Sequence, residues 1–332
     1  MSAGVAPTEA TRVVGSIASR VVPMLDAINI ALMVATAVLA WLVPVELFAS
    51  SYVVLGPLHY LTQLAWLRDR RWFTAGRFDP LVLALPVALL AFGRQIDPLV
   101  QSDWRTPVVF AILLAAVILV VVSQWRIRAI LFAAATLLAW SLRRDPALVL
   151  LALMLPSAIH IFLFTGGFIL TGALRNRSGV GVVSFSIFVA TAALLLFYPS
   201  PEANHVAAPI FARALVPFAM IRERLGLLFG FAPDRFIGVD RFLGWAYCYH
   251  YLNWFSKTRL IGWHRGTSTR LASIALAWMT CVALYAIDYS VGFMVVGLVA
   301  MLHVVLELPL DVRTFAGLPL VVVRAVRPAA IR

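Results

Sequence analysis

The chain has 332 residues, of which 62% are hydrophobic and only 13% are charged, and its mean hydropathy is +0.94. This composition excludes an ordinary soluble domain. The net charge of +12 comes from basic residues in short clusters between apolar runs, the pattern that orients membrane helices, so no nucleic-acid partner is expected.

The apolar runs predict the architecture. Windows of about 20 residues indicate nine or ten membrane-spanning helices. In chain order they cover 27–48, 50–67, 80–97, 106–124, 127–142, 147–173, 179–198, 237–256, 271–288 and 291–311. We therefore expect an all-α polytopic integral membrane protein, a single transmembrane domain over residues 1–332.

The basic residues predict the orientation of these helices. Most Lys and Arg residues fall on one side, which places both termini and the segment 1–26 in the cytoplasm and the connecting segment 199–236 outside. Residues 1–26 lack the compact apolar core and cleavage site of a signal peptide, so the first span is expected to be an uncleaved anchor. The expected location is a bacterial inner (cytoplasmic) membrane.

Two further stretches carry less information. The segment 206–230 is apolar but interrupted by Arg213 and by Arg222 to Arg224, which is typical of an interfacial amphipathic helix or of a re-entrant piece over a cavity. The two cysteines, Cys248 and Cys281, fall inside apolar runs, so neither a disulfide framework nor a cysteine-type zinc site is expected.

Four of the six histidines fall inside predicted spans, where an imidazole is costly and usually marks a functional path. They are His59, His160, His250 and His303. In the predicted topology all four helices run in the same direction, and the distances to the next cytoplasmic basic residue spread over only about 12 Å at the helical rise. The four rings are therefore expected to share one layer of the bundle.

Three interpretations of this layer are open. The four rings can bind one metal, since neutral imidazole is a common ligand of iron, zinc and copper. One or two of them can hold a haem, or each can simply join two helices by a hydrogen bond. Glu307 follows His303 by four residues and Gln63 follows His59 by four, so each shares a helix face with its histidine and is a candidate to orient a ligand.

The segments around these histidines resemble a known family. Gly56-Pro-Leu-His59, Pro156-Ser-Ala-Ile-His160, Tyr247-Cys-Tyr-His250 and Met301-Leu-His303-Val-Val-Leu-Glu307 are similar, in the same order, to the histidine-bearing helices of the Brp/Blh membrane-bound β-carotene 15,15'-dioxygenases. The resemblance implies a polytopic protein that holds non-haem iron (Fe2+) with histidines and cleaves a polyene with O2. Gln63 and Trp254 stand where that family has an acidic residue and a second histidine, which leaves the substrate open among polyene, isoprenoid and acyl chains.

The resulting hypothesis is a membrane-embedded non-haem iron oxygenase with a lipophilic substrate. The metal ligands are His59, His160, His250 and His303; the candidate catalytic groups are Glu307, Tyr249 and Tyr251; and the candidate substrate-binding residues are Trp254, Phe162, Phe164 and Gln63. Two alternatives use the same histidines: a transporter would couple them to protons, and a haem-binding or assembly protein would use them as haem ligands.

Overall fold

The computed structural model describes residues 9–92, 105–145, 154–198 and 207–326, which are helical with short connections and contain no strand. The α-helices are α1 (Glu9–Leu42), α2 (Pro44–Ser50), α3 (Gly56–Asp69), α4 (Asp79–Phe92), α5 (Arg105–Val121), α6 (Trp125–Ser141), α7 (Thr165–Asn176), α8 (Gly179–Phe197), α9 (Pro209–Leu215), α10 (Ala219–Leu228), α11 (Phe236–Ser256), α12 (Thr258–Ile261), α13 (Ser268–Ile287) and α14 (Tyr289–Val326). Two π-helical segments, Ser51–Leu55 and Leu155–Phe164, lead directly into α3 and α7. The all-α prediction is confirmed for these residues.

Five helices of the described residues are long and apolar enough to cross a membrane. They are Met24–Leu42, Ala158–Asn176, Gly179–Phe197, Ser268–Ile287 and Tyr289–Val322. Large apolar side chains are exposed on the outer surface, for example Ile287 at 82% and Leu85 at 74%. These features are consistent with an integral membrane protein, whose outer face contacts lipid.

Each of the ten predicted spans overlaps a helix. The end of the third predicted span and the start of the sixth fall in 93–104 and 146–153, which lie outside the described residues. The helix α1 begins at Glu9, well before the predicted start of the first span, so much of the segment 1–26 continues that helix.

The helix α11 is the centre of the larger apolar core. Its residues are buried almost without interruption from Phe236 to Tyr251, because α1, α2 and α8 pack around it. Two glycines permit the closest approaches: a Cβ on Gly244 would lie 2.6 Å from the carbonyl oxygen of Pro44, and one on Gly238 would lie 2.6 Å from that of Leu196. Glycine is therefore required at these two helix crossings for steric reasons.

A second apolar core lies on the other side of α14. There the end of α3 and the inner faces of α4 and α5 meet Leu306 and Leu308 of α14. The helix α14 also contacts α7 and α13, so it passes between the two cores. Polar residues on α14 at this position are consequently enclosed from both sides.

The described part of the segment 206–230 forms α9, a short 3-10 turn and α10. Phe218, Ile221 and Leu225 are buried against the larger core. Arg222 donates two hydrogen bonds to the carboxylate of Asp240, at 2.6 and 2.9 Å, which ties α10 to the first turns of α11.

We expect Gly244→Ala to destabilise the protein, because the added methyl group meets the backbone of Pro44 and overpacking costs about 1–3 kcal/mol. The matched control is Gly172→Ala, since no atom of another described element lies within 4 Å of a Cβ at that helical position. Thermal unfolding in detergent should show a midpoint about 2 °C or more lower for Gly244→Ala. The control should unfold at or slightly above the wild-type temperature, because alanine favours helix. An unchanged midpoint for Gly244→Ala would contradict the close crossing.

Candidate metal centre

Four separate segments bring the four histidine rings to one place. His59 lies on α3, His160 in the π-helical segment Leu155–Phe164, His250 on α11 and His303 on α14. His59, His160 and His303 are at most 3% exposed. The π-helical turns ahead of His59 and around His160 change the phase of the helix locally, a feature that often occurs at functional sites.

The closest pair of ring nitrogens is that of His59 and His250, whose Nε2 atoms are 3.1 Å apart. Two ligand nitrogens about 2.1 Å from one metal, and separated by about 90° to 110° at the metal, would lie about 3.0–3.4 Å from each other. The observed separation falls in this range. The rings themselves meet edge to face, with centroids 4.7 Å apart.

The other two histidines complete the cluster. The ring of His303 is 5.3 Å from that of His59, and the ring of His160 is 5.6 Å from that of His303 and 5.7 Å from that of His250. The possible ligand atoms form two sets, and the atoms within each set lie within 4.8 Å of one another. The first set is formed by His59, His250 and His303, and the second by His160, His303 and Glu307. Since His303 belongs to both sets, they form one continuous group of donors.

Several nitrogens of this group lack hydrogen-bond partners among the described residues. Both ring nitrogens of His160 and the Nε2 atom of His303 are buried and have no hydrogen-bond partner among these residues. The carboxylate oxygen Oε2 of Glu307 lies 3.5 Å from Nε2 of His160, which is too far for a good hydrogen bond. Buried polar atoms are normally satisfied, so this arrangement fits a bound metal ion that would take one lone pair from each ring, the other nitrogen of the ring carrying a proton.

Surrounding side chains orient the rings. The hydroxyl of Thr165 is 2.8 Å from Nδ1 of His250, which leaves Nε2 of that ring directed at His59. Gln63 hydrogen-bonds the carboxyl group of Glu307. Metal-binding histidines commonly use their second nitrogen in this way, since the outer contact fixes the tautomer and the ring plane.

Aromatic rings enclose the cluster on one side. Tyr60 stacks on His303 at 4.3 Å, and its hydroxyl group is 2.6 Å from that of Tyr251. The rings of Tyr251 and Trp254 lie 5.2 and 5.4 Å from that of His59. The predicted residues Tyr251 and Trp254 are thus next to the histidines, as are Gln63 and Glu307.

The remaining predicted residues divide into two groups. Phe164 is adjacent to the cluster, with its ring 5.2 Å from His160. Tyr249 stacks on Trp245 at 5.9 Å, and Phe162 stacks on Phe188 at 4.9 Å, so both belong to the apolar core away from the four histidines. Neighbouring or next-but-one residues on a helix point in different directions, which separates Tyr249 from His250 and Phe162 from His160.

The sequence interpretation missed Thr165, Tyr60 and Asp311. Asp311 is 2% exposed, and both its carboxylate oxygens lack a partner among the described residues. A signal for it exists, because His303, Glu307 and Asp311 are spaced four residues apart and must share one face of α14. Thr165 and Tyr60 carry no comparable signal, since their contacts depend on how separate helices pack.

Comparison with protein-family models, with curated proteins and with solved structures found no match for this chain. The function is therefore inferred from the geometry and chemistry of the site.

Proposed function

We propose that this protein is a polytopic membrane oxygenase that holds non-haem iron and acts on a lipophilic substrate with O2. The observation that supports the proposal most is the meeting of four imidazoles, three of them buried, from four separate segments, since several of their ring nitrogens lack partners among the described residues. We place both termini in the cytoplasm, following the distribution of basic residues.

The ligands in this proposal are His59, His160, His250 and His303. Neutral nitrogen donors suit iron, zinc and copper, and the resemblance of the same four segments to the Brp/Blh family favours iron. Fe2+ held by these residues would supply the activation of dioxygen.

The other residues hold the donors and exclude water. The hydroxyl oxygen of Thr165, 2.8 Å from Nδ1 of His250, would accept a hydrogen bond from Nδ1–H, so that Nε2 of this ring presents its lone pair to the metal. Gln63 fixes the carboxyl group of Glu307 beside His160, where Glu307 either accepts a hydrogen bond from the ring or joins the donor set. Tyr60, Tyr251 and Trp254 close one side with aromatic surface, which restricts access to molecules that partition into lipid.

We expect His250→Ala to lose most of the bound iron, because it removes the ring that lies closest to His59. The measurement is elemental analysis and an absorption spectrum of detergent-purified protein, with about one or two irons per chain and no Soret band expected for the wild type. The matched control is His264→Ala, since His264 is exposed in a connection and should not alter iron content. Equal iron in His250→Ala and the wild type would contradict this ligand assignment.

The same measurement separates the alternative functions. A Soret band would support a haem-binding protein in place of the oxygenase. Absence of any metal from wild-type protein supplied with Fe2+ would overturn the iron site and leave a transporter or a structural role for the histidines.

Oxygenase activity itself is tested with iron-loaded protein in lipid nanodiscs. On addition of a polyene, isoprenoid or acyl-chain substrate, we expect O2 uptake and an oxygenated product detected by mass spectrometry of the lipid extract. His250→Ala should lose both signals, whereas His264→Ala should retain them. Failure of iron-loaded protein to oxygenate any of these three classes would count against the proposed reaction.

We expect Thr165→Val to weaken iron binding by about 10- to 100-fold without unfolding the protein, because valine has a similar shape but cannot contact Nδ1 of His250. Thr165→Ser should restore most of the affinity, since serine keeps the hydroxyl group. The control is Thr171→Val on the same helix, where the buried hydroxyl group has no partner among the described residues. Affinity is measured by competition with a chelator, and wild-type affinity in Thr165→Val would show that this contact does not position the ring.

A further inference from the structure

An apolar groove lies beside the histidine cluster, between α5, α14 and the end of the π-helical segment Leu155–Phe164. Its volume is about 310 Å³, at the lower end of the range for small-molecule sites. The groove is lined by Asp311 and by apolar side chains that include Val117, Phe164, Val312 and Phe315. Val117 and Phe315 are 44% and 38% exposed, so the groove opens to the outer apolar surface.

Among the described residues that line the groove, Asp311 is the one with an ionisable side chain. Its side chain is 98% removed from solvent, and neither carboxylate oxygen has a hydrogen-bond partner among the described residues. Burying such a group without a partner is costly. The residue therefore indicates a ligand in the groove that supplies a hydrogen-bond donor.

The groove is connected to the histidine cluster in two ways. The ring of Phe164 is 5.2 Å from that of His160 and 5.6 Å from that of Phe315, so Phe164 forms the wall between the cluster and the groove. On α14, Asp311 follows His303 by eight residues, which is about 12 Å along the helix axis. A chain lying in the groove would thus contact both Asp311 and Phe164, the residue that packs on His160.

We propose that this groove binds the substrate of the centre described above, and that the substrate is an apolar chain bearing a hydroxyl group, which donates a hydrogen bond to Asp311. The inference rests on the proposed function and specifies its substrate class. The walls are hydrocarbon, which suits an isoprenoid, polyene or acyl chain. A hydroxyl group is favoured over an ammonium group as the donor, because carrying a charge through the lipid is far more costly.

This arrangement also predicts how the reaction site is chosen. With the hydroxyl group held at Asp311, the atom of a bound chain that can reach the histidines would be set by their separation from Asp311, which is about 12 Å along the axis of α14. Asp311 is accordingly a specificity-determining residue that selects the position of reaction without contacting the reacting atoms.

The test measures binding of a fluorescent linear tetraene alcohol, parinaryl alcohol, and of its methyl ether, which has the same chain but no donor. Metal-free full-length protein in nanodiscs is used, with probe fluorescence and tryptophan quenching as the readout. We expect the wild type to bind the alcohol about tenfold more tightly than the ether. Asp311→Leu should reduce this preference to within about twofold.

A second pair of variants tests the location without altering a buried polar group. Val117→Phe should fill the groove mouth and weaken binding of both probes at least tenfold, whereas Val121→Phe, at an exposed position one turn further along α5 and outside the groove lining, should bind both as the wild type does. Equal wild-type affinities for alcohol and ether would overturn the inference and identify the groove as a nonspecific lipid contact. An unchanged preference in Asp311→Leu, or unchanged binding in Val117→Phe, would overturn it as well.

Because binding is measured without metal, this experiment fails or succeeds independently of the iron site. If the protein binds no iron but prefers the alcohol, the groove is still a binding site and only the iron site is overturned. If the protein binds iron but does not prefer the alcohol over the ether, the metal centre stands and the substrate assignment is overturned.

Discussion

The structure depends on the convergence of four imidazole rings in a region that is otherwise apolar. Polar rings buried among hydrocarbon side chains need partners, and here the rings lie beside one another and beside the side chains of Thr165 and Glu307. The Nε2 atoms of His59 and His250 approach to 3.1 Å, and His303 joins this pair to His160 and Glu307. Segments far apart in the chain therefore meet at one point.

Two helices provide the frame for this meeting. The helix α11 is enclosed by α1, α2 and α8 and carries His250 into the bundle on an almost completely buried element. The helix α14 passes between the two apolar cores and carries His303, Glu307 and Asp311 on one face. The centre and the groove both lie along α14, because its polar face supplies His303 and Glu307 to the centre and Asp311 to the groove.

The surroundings of the cluster are consistent with chemistry on molecules dissolved in lipid. Aromatic rings of Tyr60, Tyr251 and Trp254 cover one side, and the groove lined by Phe164 and Phe315 adjoins another and opens to the apolar outer surface. In the proposed function these walls exclude water and admit an apolar chain. In the proposal, the hydrogen-bonding groups of Thr165, Gln63 and Asp311 supply the orientation that the apolar walls lack.

The sequence by itself determined that the protein is helical and that four histidines lie inside apolar segments, because hydropathy and composition are local properties. It also placed Glu307 on the same face as His303, since helical periodicity relates residues of one helix. Only the tertiary structure decided that Tyr249 and Phe162 pack into the core, and that Thr165 and Tyr60 contact His250 and His303. These contacts join different segments, and their directions depend on helix rotation and on the π-helical turns at Ser51–Leu55 and Leu155–Phe164, which periodicity along a single segment does not specify.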